Sequence, residues 1–128
     1  MKVFLDTNVL IYILEGDSEF GLKYAQFLTK LRADGAIFNT STTTIVEFLA
    51  SNSDANAVKQ LLNFPGLDFY PLDNDAAIKA GDLARKHSIK LGDSIQLATA
   101  IDSGCEALIS NDSSLTKTAK QYLKILSP

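Results

Sequence analysis

Four acidic residues, Asp6, Glu47, Asp93 and Asp112, carry the chemistry that this sequence could perform. Asp6 ends the apolar run Val3-Phe4-Leu5, and Asp112 follows the run Ala107 to Ser110. Asp93 opens a helical stretch after Lys90-Leu91-Gly92. Glu47 lies within a helical pattern, with Thr43, Thr44, Ala50 and Ser51 as its i±3 and i±4 neighbours. That face is small and polar, so a long acid can reach a shared cleft without crowding. Carboxylates gathered in one cleft repel one another and take up protons unless a cation intervenes. Oxygen ligands without histidine or cysteine select Mg²⁺ or Mn²⁺. Such ions contact phosphate oxygens, activate water and stabilise a leaving oxygen. The reaction class that follows from convergence is metal-assisted phosphodiester hydrolysis.

Each acid also has a structural reading. Asp6 and Asp112 suit N-caps that accept backbone N–H bonds. Asp93 with Gln96, and Thr44 with Glu47, have the spacing of capping boxes. Spacing alone does not choose between the two readings.

The elements that would position these residues alternate along the chain. Val3 to Leu5 is predicted as a strand, Thr7 to Leu14 as a helix ending near Gly16, and Phe20 to Ala33 as a second helix. Ala36 to Asn39 reads as a strand. A third helix starts in Thr40-Ser41-Thr42-Thr43-Thr44, and Ala55 to Leu62 continues a helical hairpin. A turn at Asn63-Phe64-Pro65-Gly66 leads to a strand over Leu67 to Leu72. Helices are expected from Ala76 to about His87 and from Asp93 to Ser103. They are followed by a strand over Ala107 to Ser110, a short helix or turn, and a last strand near Tyr122 to Leu126. Continuous apolar strands alternating with helices imply an α/β fold, a parallel sheet covered on both faces. Asp6 and Asp112 then fall at the carboxyl edge of the sheet, where such folds bind ligands.

Composition bounds the function. The 128 residues suit one domain over 1–128, and 46% hydrophobic with 21% charged residues excludes a mostly disordered chain. A single cysteine, Cys105, excludes an internal disulfide framework and a cysteine zinc cluster. A single histidine, His87, excludes a histidine-rich metal site. The net charge of −3 argues against a module that grips nucleic acid by charge alone. Of the 15 acids, removing the four above leaves 11 against 12 basic residues, so a metal-filled cleft would hold the whole negative excess. The apolar run before Asp6 is too short for a secretory segment, and Val9 to Leu14 falls short of the roughly 20 residues of a membrane span. A cytoplasmic protein without a membrane segment is expected.

At these residues the chain resembles the PIN-domain nucleases, and among them the small VapC-like toxin ribonucleases of type II toxin–antitoxin systems. Phe4-Leu5-Asp6-Thr7-Asn8-Val9-Leu10 is similar to the family's opening strand and first acid. Glu47 in Thr44-Ile45-Val46-Glu47-Phe48 matches the second acid. Leu91-Gly92-Asp93-Ser94-Ile95-Gln96-Leu97-Ala98-Thr99-Ala100 resembles the third motif, and Ile109-Ser110-Asn111-Asp112 the last. The four strings stand in the family's order, and the match covers nearly the whole chain. The resemblance implies a sheet ordered 3-2-1-4-5, Mg²⁺- or Mn²⁺-dependent RNA cleavage, a homodimer and a small antitoxin partner. Asp6, Asp93 and Asp112 would hold the metal directly or through water. Glu47 would complete the site or orient the attacking water. Thr7 and Asn8 would order the Asp6 loop, and Ser110 and Asn111 would hydrogen-bond the acids or the phosphate. Ser110 stands where the family often has threonine, and Gln96 is more polar than its usual alanine or isoleucine.

Arg85, Lys86 and Lys90 precede Asp93, while Lys117, Lys120 and Lys124 follow Asp112, which makes them candidates for RNA-backbone contact. His87 reads as a solvated helix end and Cys105 as a small buried hydrophobe. Other phosphate enzymes fit poorly. Asn8 breaks the Asp-x-Asp of haloacid dehalogenase phosphatases, and Asp6 lacks the clustered acids of a receiver domain. The glycine patterns of dinucleotide and P-loop sites are absent. A non-catalytic binding or dimerisation module, its acids serving as caps, is the remaining alternative.

Overall fold

Val3 and Leu5 turn to one face of the first strand and Phe4 to the other, and all three are fully buried. Burial on both faces is the signature of a strand inside a parallel sheet. In the computed structural model, which describes residues 1–51 and 54–128, this strand is the centre of the fold.

The described elements run β1 (Lys2–Leu5), α1 (Thr7–Glu15), α2 (Gly21–Ala33), β2 (Ile37–Ser41), α3 (Thr42–Ser51), α4 (Ala55–Leu62), β3 (Leu67–Tyr70), α5 (Asn74–His87), α6 (Leu91–Asp102), β4 (Ala107–Ile109), α7 (Ser113–Ala119) and β5 (Lys124–Leu126). The five strands are parallel and ordered β3-β2-β1-β4-β5, as expected. Val3 pairs with Phe38 on one side, and Leu5 with Ile109 on the other. The chain reverses its winding direction between β1 and β4, so the crevice beyond their carboxyl ends is the topological switch point.

Two cores form, one on each face. Val3, Leu5, Val9, Leu10, Leu28, Phe38 and Phe48 join α1 to α4 against the sheet. Phe4, Leu83, Leu97, Leu108 and Leu115 bind α5, α6 and α7 to the opposite face. Each fully buried Leu or Phe contributes about 1.5–3 kcal/mol. Helix α6 is the most enclosed, with Ser94 and every residue from Gln96 to Ala100 buried. The α1–α2 junction depends on Gly21, because a β-carbon there would sit 2.8 Å from the Tyr12 carbonyl oxygen.

Several boundaries differ from the sequence reading. Thr40 and Ser41 belong to β2, where they pair with Phe69 and Tyr70, so α3 begins only at Thr42. The helix carrying Asp93 opens two residues earlier, at Leu91, with Lys90 as its N-cap. Strand β3 stops at Tyr70, before Pro71, which lacks a ladder N–H. Ser110 lies just beyond β4. No described helix is long and apolar enough to cross a membrane.

Candidate active site

Asp6 and Asp112 follow the adjacent central strands, and both take the N-cap role. The Asp6 carboxylate accepts from the Thr7 N–H at 2.9 Å and starts α1. The Asp112 carboxylate accepts from Ser114 and Leu115 N–H at 2.9 and 3.3 Å and starts α7. Ser110 joins them: its Oγ donates to Asp6 Oδ2 at 2.6 Å and accepts from the Asp112 N–H at 3.0 Å.

Glu47 and Asp93 are not N-caps. Glu47 reaches down from α3, and its Oε1 accepts from the Thr7 hydroxyl and from Gln96 Nε2, each at 2.9 Å. Its Oε2 lies 3.8 Å from where a β-carbon on Gly92 would sit, at the start of α6. Asp93 occupies the first turn of α6, where a negative charge suits the helix dipole. The Ser114 hydroxyl links Asp93 to Asp112, at 3.4 Å from Asp93 Oδ2 and 2.7 Å from Asp112 Oδ1. Ser114 has one hydrogen, and the shorter bond holds it.

The four acids feel one another. Burial pushes the Asp6 carboxyl up to about 6, reinforced by the nearby Glu47 and Asp93 charges and opposed by its bonds to Ser110 and Thr7. Burial and the neighbouring Asp112 also raise Asp93, while Lys90 pulls it back. Asp112 moves the other way: the Ser114 hydroxyl, helped by the Leu115 and Ser114 N–H groups, holds it below the usual carboxylate range.

The donor set fits a hard divalent cation in kind, since it is carboxylate and hydroxyl oxygen throughout and its charges repel. Among the described residues, no three acidic, histidine or cysteine side chains form a group that could together hold a metal ion. The site therefore fits an ion bound through one or two carboxylates and water, which is the ordinary habit of Mg²⁺. Beside Asp93 opens a cavity of about 180 Å³ lined by Ser88, Ile89, Lys90, Asp93 and Ser114.

Several supporting residues play parts other than those expected. Thr7 serves Glu47 with its hydroxyl, besides filling the Asp6 cap with its N–H. Asn8 ties the strand ends together, donating to Ser110 Oγ at 3.5 Å and accepting from the Asn111 N–H at 3.3 Å. The Asn111 side chain turns away from the acids toward Tyr12 and Tyr24. Neither expected capping box forms. Thr44 is inside α3 and bonds Thr40, while Gln96 points into the buried interior toward Thr7, Thr44 and Glu47. An i,i+3 pattern cannot distinguish a cap from two residues that face a third helix.

The basic candidates also separate. Lys90 lies close enough to lower both Asp93 and Asp112. Arg85 is paired with Asp82 at 2.8 Å on the exposed face of α5, and Lys86, Lys117, Lys120 and Lys124 are exposed. His87 meets the Tyr122 hydroxyl at 2.6 Å. Cys105 is buried, as expected, and accepts from Asn39 Nδ2 at 3.3 Å.

Comparison with known proteins decides the family. The PIN domain family matches residues 3–121. The chain belongs to the PIN-domain family. Solved structures with the same fold include VapBC2 from Rickettsia felis bound to a promoter DNA fragment, with a TM-score of 0.73 and 16% identity over 98% of both chains. A toxin–antitoxin complex from Klebsiella pneumoniae has a TM-score of 0.71 and 22% identity, over 98% of this chain and 97% of that one. FitAcB from Neisseria gonorrhoeae has a TM-score of 0.67 and 17% identity, over 98% of this chain and 97% of that one. At such identities the likeness concerns the fold. No curated protein matches the sequence significantly. In this PIN domain, then, the family's sheet order is present, and the acids read from the sequence lie around its central crevice.

Proposed function

We propose that this PIN domain is a Mg²⁺- or Mn²⁺-dependent endoribonuclease acting at Asp6, Glu47, Asp93 and Asp112, and the toxin of a toxin–antitoxin pair. PIN domains are in general nucleases, and structures of similar fold come from toxin–antitoxin complexes. The observation that carries the reading is the gathering of acids from four elements at one sheet edge, linked through Thr7, Ser110 and Ser114, where burial first and the neighbouring charges second push Asp6 up to about 6. A bound cation would relieve the cost of burying Asp6 and Asp93 beside other acids.

When bound, the divalent ion would polarise the phosphate and favour an ionised water at neutral pH. Of Asp6, Asp93 and Asp112, one or two would hold the ion directly and the rest through water. Glu47, tied at one oxygen and open at the other, orients the attacking water. Ser110 keeps Asp6 and Asp112 in fixed relation. Lys90, at the mouth of the cavity beside Asp93, meets the RNA backbone and offsets the acid charge. A small antitoxin protein, a second copy of this chain and a cytoplasmic setting complete the proposal.

The rival reading, a binding module whose acids are caps, draws on the observed caps of Asp6 and Asp112. It leaves the Glu47 network without a purpose. The test is cleavage of structured RNAs by purified protein with Mg²⁺ or Mn²⁺, beside Asp6→Asn and Asp93→Asn variants. Metal-dependent cleavage lost in both variants is expected. Cleavage that persists in chelator, or is undiminished in the variants, would overturn the assignment.

A further inference from the structure

Gln96 is 2% exposed on α6, and its Nε2 lies within 3.0 Å of Thr7 Oγ1, Thr44 Oγ1 and Glu47 Oε1. A carboxylate needs a donor, so the amide nitrogen faces Glu47 and the carbonyl faces away. The remaining hydrogens can then be assigned. The Thr40 hydroxyl donates to the Leu5 carbonyl at 2.8 Å, so it accepts from Thr44 at 2.7 Å. Thr44 has spent its hydrogen and accepts from Gln96 at 3.0 Å. The Thr7 hydroxyl, 3.1 Å from Thr44 and 2.9 Å from Glu47, gives its hydrogen to the charged acceptor. Gln96 Nε2 carries two hydrogens and has three acceptors within reach, Thr7, Thr44 and Glu47, and the charged Glu47 takes one of them. The network runs from the backbone just before Asp6 to Glu47 Oε1.

Gln96 Oε1 is buried with no hydrogen-bond partner among the described residues. An apolar side chain of similar size would fill this space without stranding an acceptor. What the amide alone provides is a second donor on Glu47 Oε1.

We infer that Gln96 is a positioning residue that, with Thr7, clamps Glu47 Oε1 and presents Oε2 to the cleft beside Gly92. The fourth acid is thereby set before any cation or substrate arrives. The inference rests on the nuclease reading for its purpose, though the clamp itself can be tested without it.

The experiment uses Gln96→Met, which keeps the bulk and removes the donors, beside Glu47→Ala and the double variant. Side-chain couplings of Glu47 by NMR should report one rotamer in the metal-free wild type and averaging in Gln96→Met. Mn²⁺ titrated by electron paramagnetic resonance should bind about 10-fold more weakly, and kcat for RNA cleavage should fall about 10- to 100-fold with KM unchanged. In the Glu47→Ala background, Gln96→Met should add no further loss, because the two act as one unit. A single Glu47 rotamer with unchanged Mn²⁺ affinity and kcat would overturn the inference. So would a loss that persists in the Glu47→Ala background, or a lower melting temperature as the sole change. Wild-type protein that neither binds Mn²⁺ nor cleaves RNA would sink the nuclease reading instead, and the rotamer measurement would still decide the clamp.

Discussion

Asp6 and Asp112 obey the same local rule and live under opposite conditions. Each follows a central parallel strand, and each caps the next helix. Asp6 is 7% exposed, and its neighbours Glu47 and Asp93 oppose its ionisation. Asp112 faces more water and is surrounded by donors from Ser114 and Leu115. One cap is therefore a stored electrostatic cost that a cation can relieve. The other is a conventional stabilising cap near the same cleft. The same side chain in the same local motif can thus be assigned to chemistry or to architecture by its surroundings.

Catalytic activity should separate the two acids most. Asp6→Asn should lower the RNA cleavage rate on the order of 10³-fold, as expected for loss of several kcal/mol of metal-derived stabilisation. Asp112→Asn should lose less, because its carboxylate is already engaged by the helix it caps. Equal losses in parallel kinetic assays would show that burial does not rank the two acids.

The next effect is on stability, and it has the opposite sign. In chelator, the folded-state value of about 6 for Asp6 exceeds its ordinary 3.8. The unfolded chain thus releases that proton first as pH rises. Stability from this group is fully present below 3.8 and is lost as pH climbs through about 6. Asp6→Asn, which cannot ionise, should be more stable than wild type at pH 7.5 by up to ~3 kcal/mol. Urea unfolding at pH 4.5 and 7.5 checks this, and a variant less stable at both would contradict it. Asp112 runs the other way: its lowered value contributes stability above the ordinary range that is lost as pH falls through the folded value.

Smaller is the loss of the exposed cap itself. Asp112→Ala should destabilise by about 1 kcal/mol, whereas Asp112→Asn, which can still cap, should cost only a few tenths. Matching thermal melts for the two would show that α7 does not depend on the cap. Smallest is Arg85→Ala, which removes an exposed i,i+3 pair with Asp82 and should change stability by less than about 0.5 kcal/mol. Its KM for RNA should stay near wild type, while Lys90→Ala should raise KM. A reversed order would move the RNA path onto α5.

Much of this was legible without coordinates. The alternation of apolar strands and helices, the carboxyl-edge position of Asp6 and Asp112, and the order of the four motifs all follow from residues read a few positions apart. Periodicity, caps and turns are local, so a linear chain displays them. Gln96 reads in the sequence as a capping partner of Asp93 and as an unusually polar residue of the third motif. Its partners Thr7 and Thr44 are 89 and 52 positions away, and no spacing rule connects them. The Asn111 side chain likewise bonds Tyr12 and Tyr24 across the fold, contacts that no local spacing displays.

The sequence by itself determined which acids this chain has, which of them sit at strand ends and which helices they begin. Tertiary structure alone decided that Asp6 would be dry and Asp112 wet, that Lys90 would face the acids while Arg85 paired on its own helix, and that Glu47 would have one oxygen held by Thr7 and Gln96 and the other beside Gly92. The physical reason is one of range. Helix and strand signals depend on neighbours within one or two turns. Desolvation, repulsion and shared hydrogen bonds depend on what the parallel sheet brings together from the far ends of the chain.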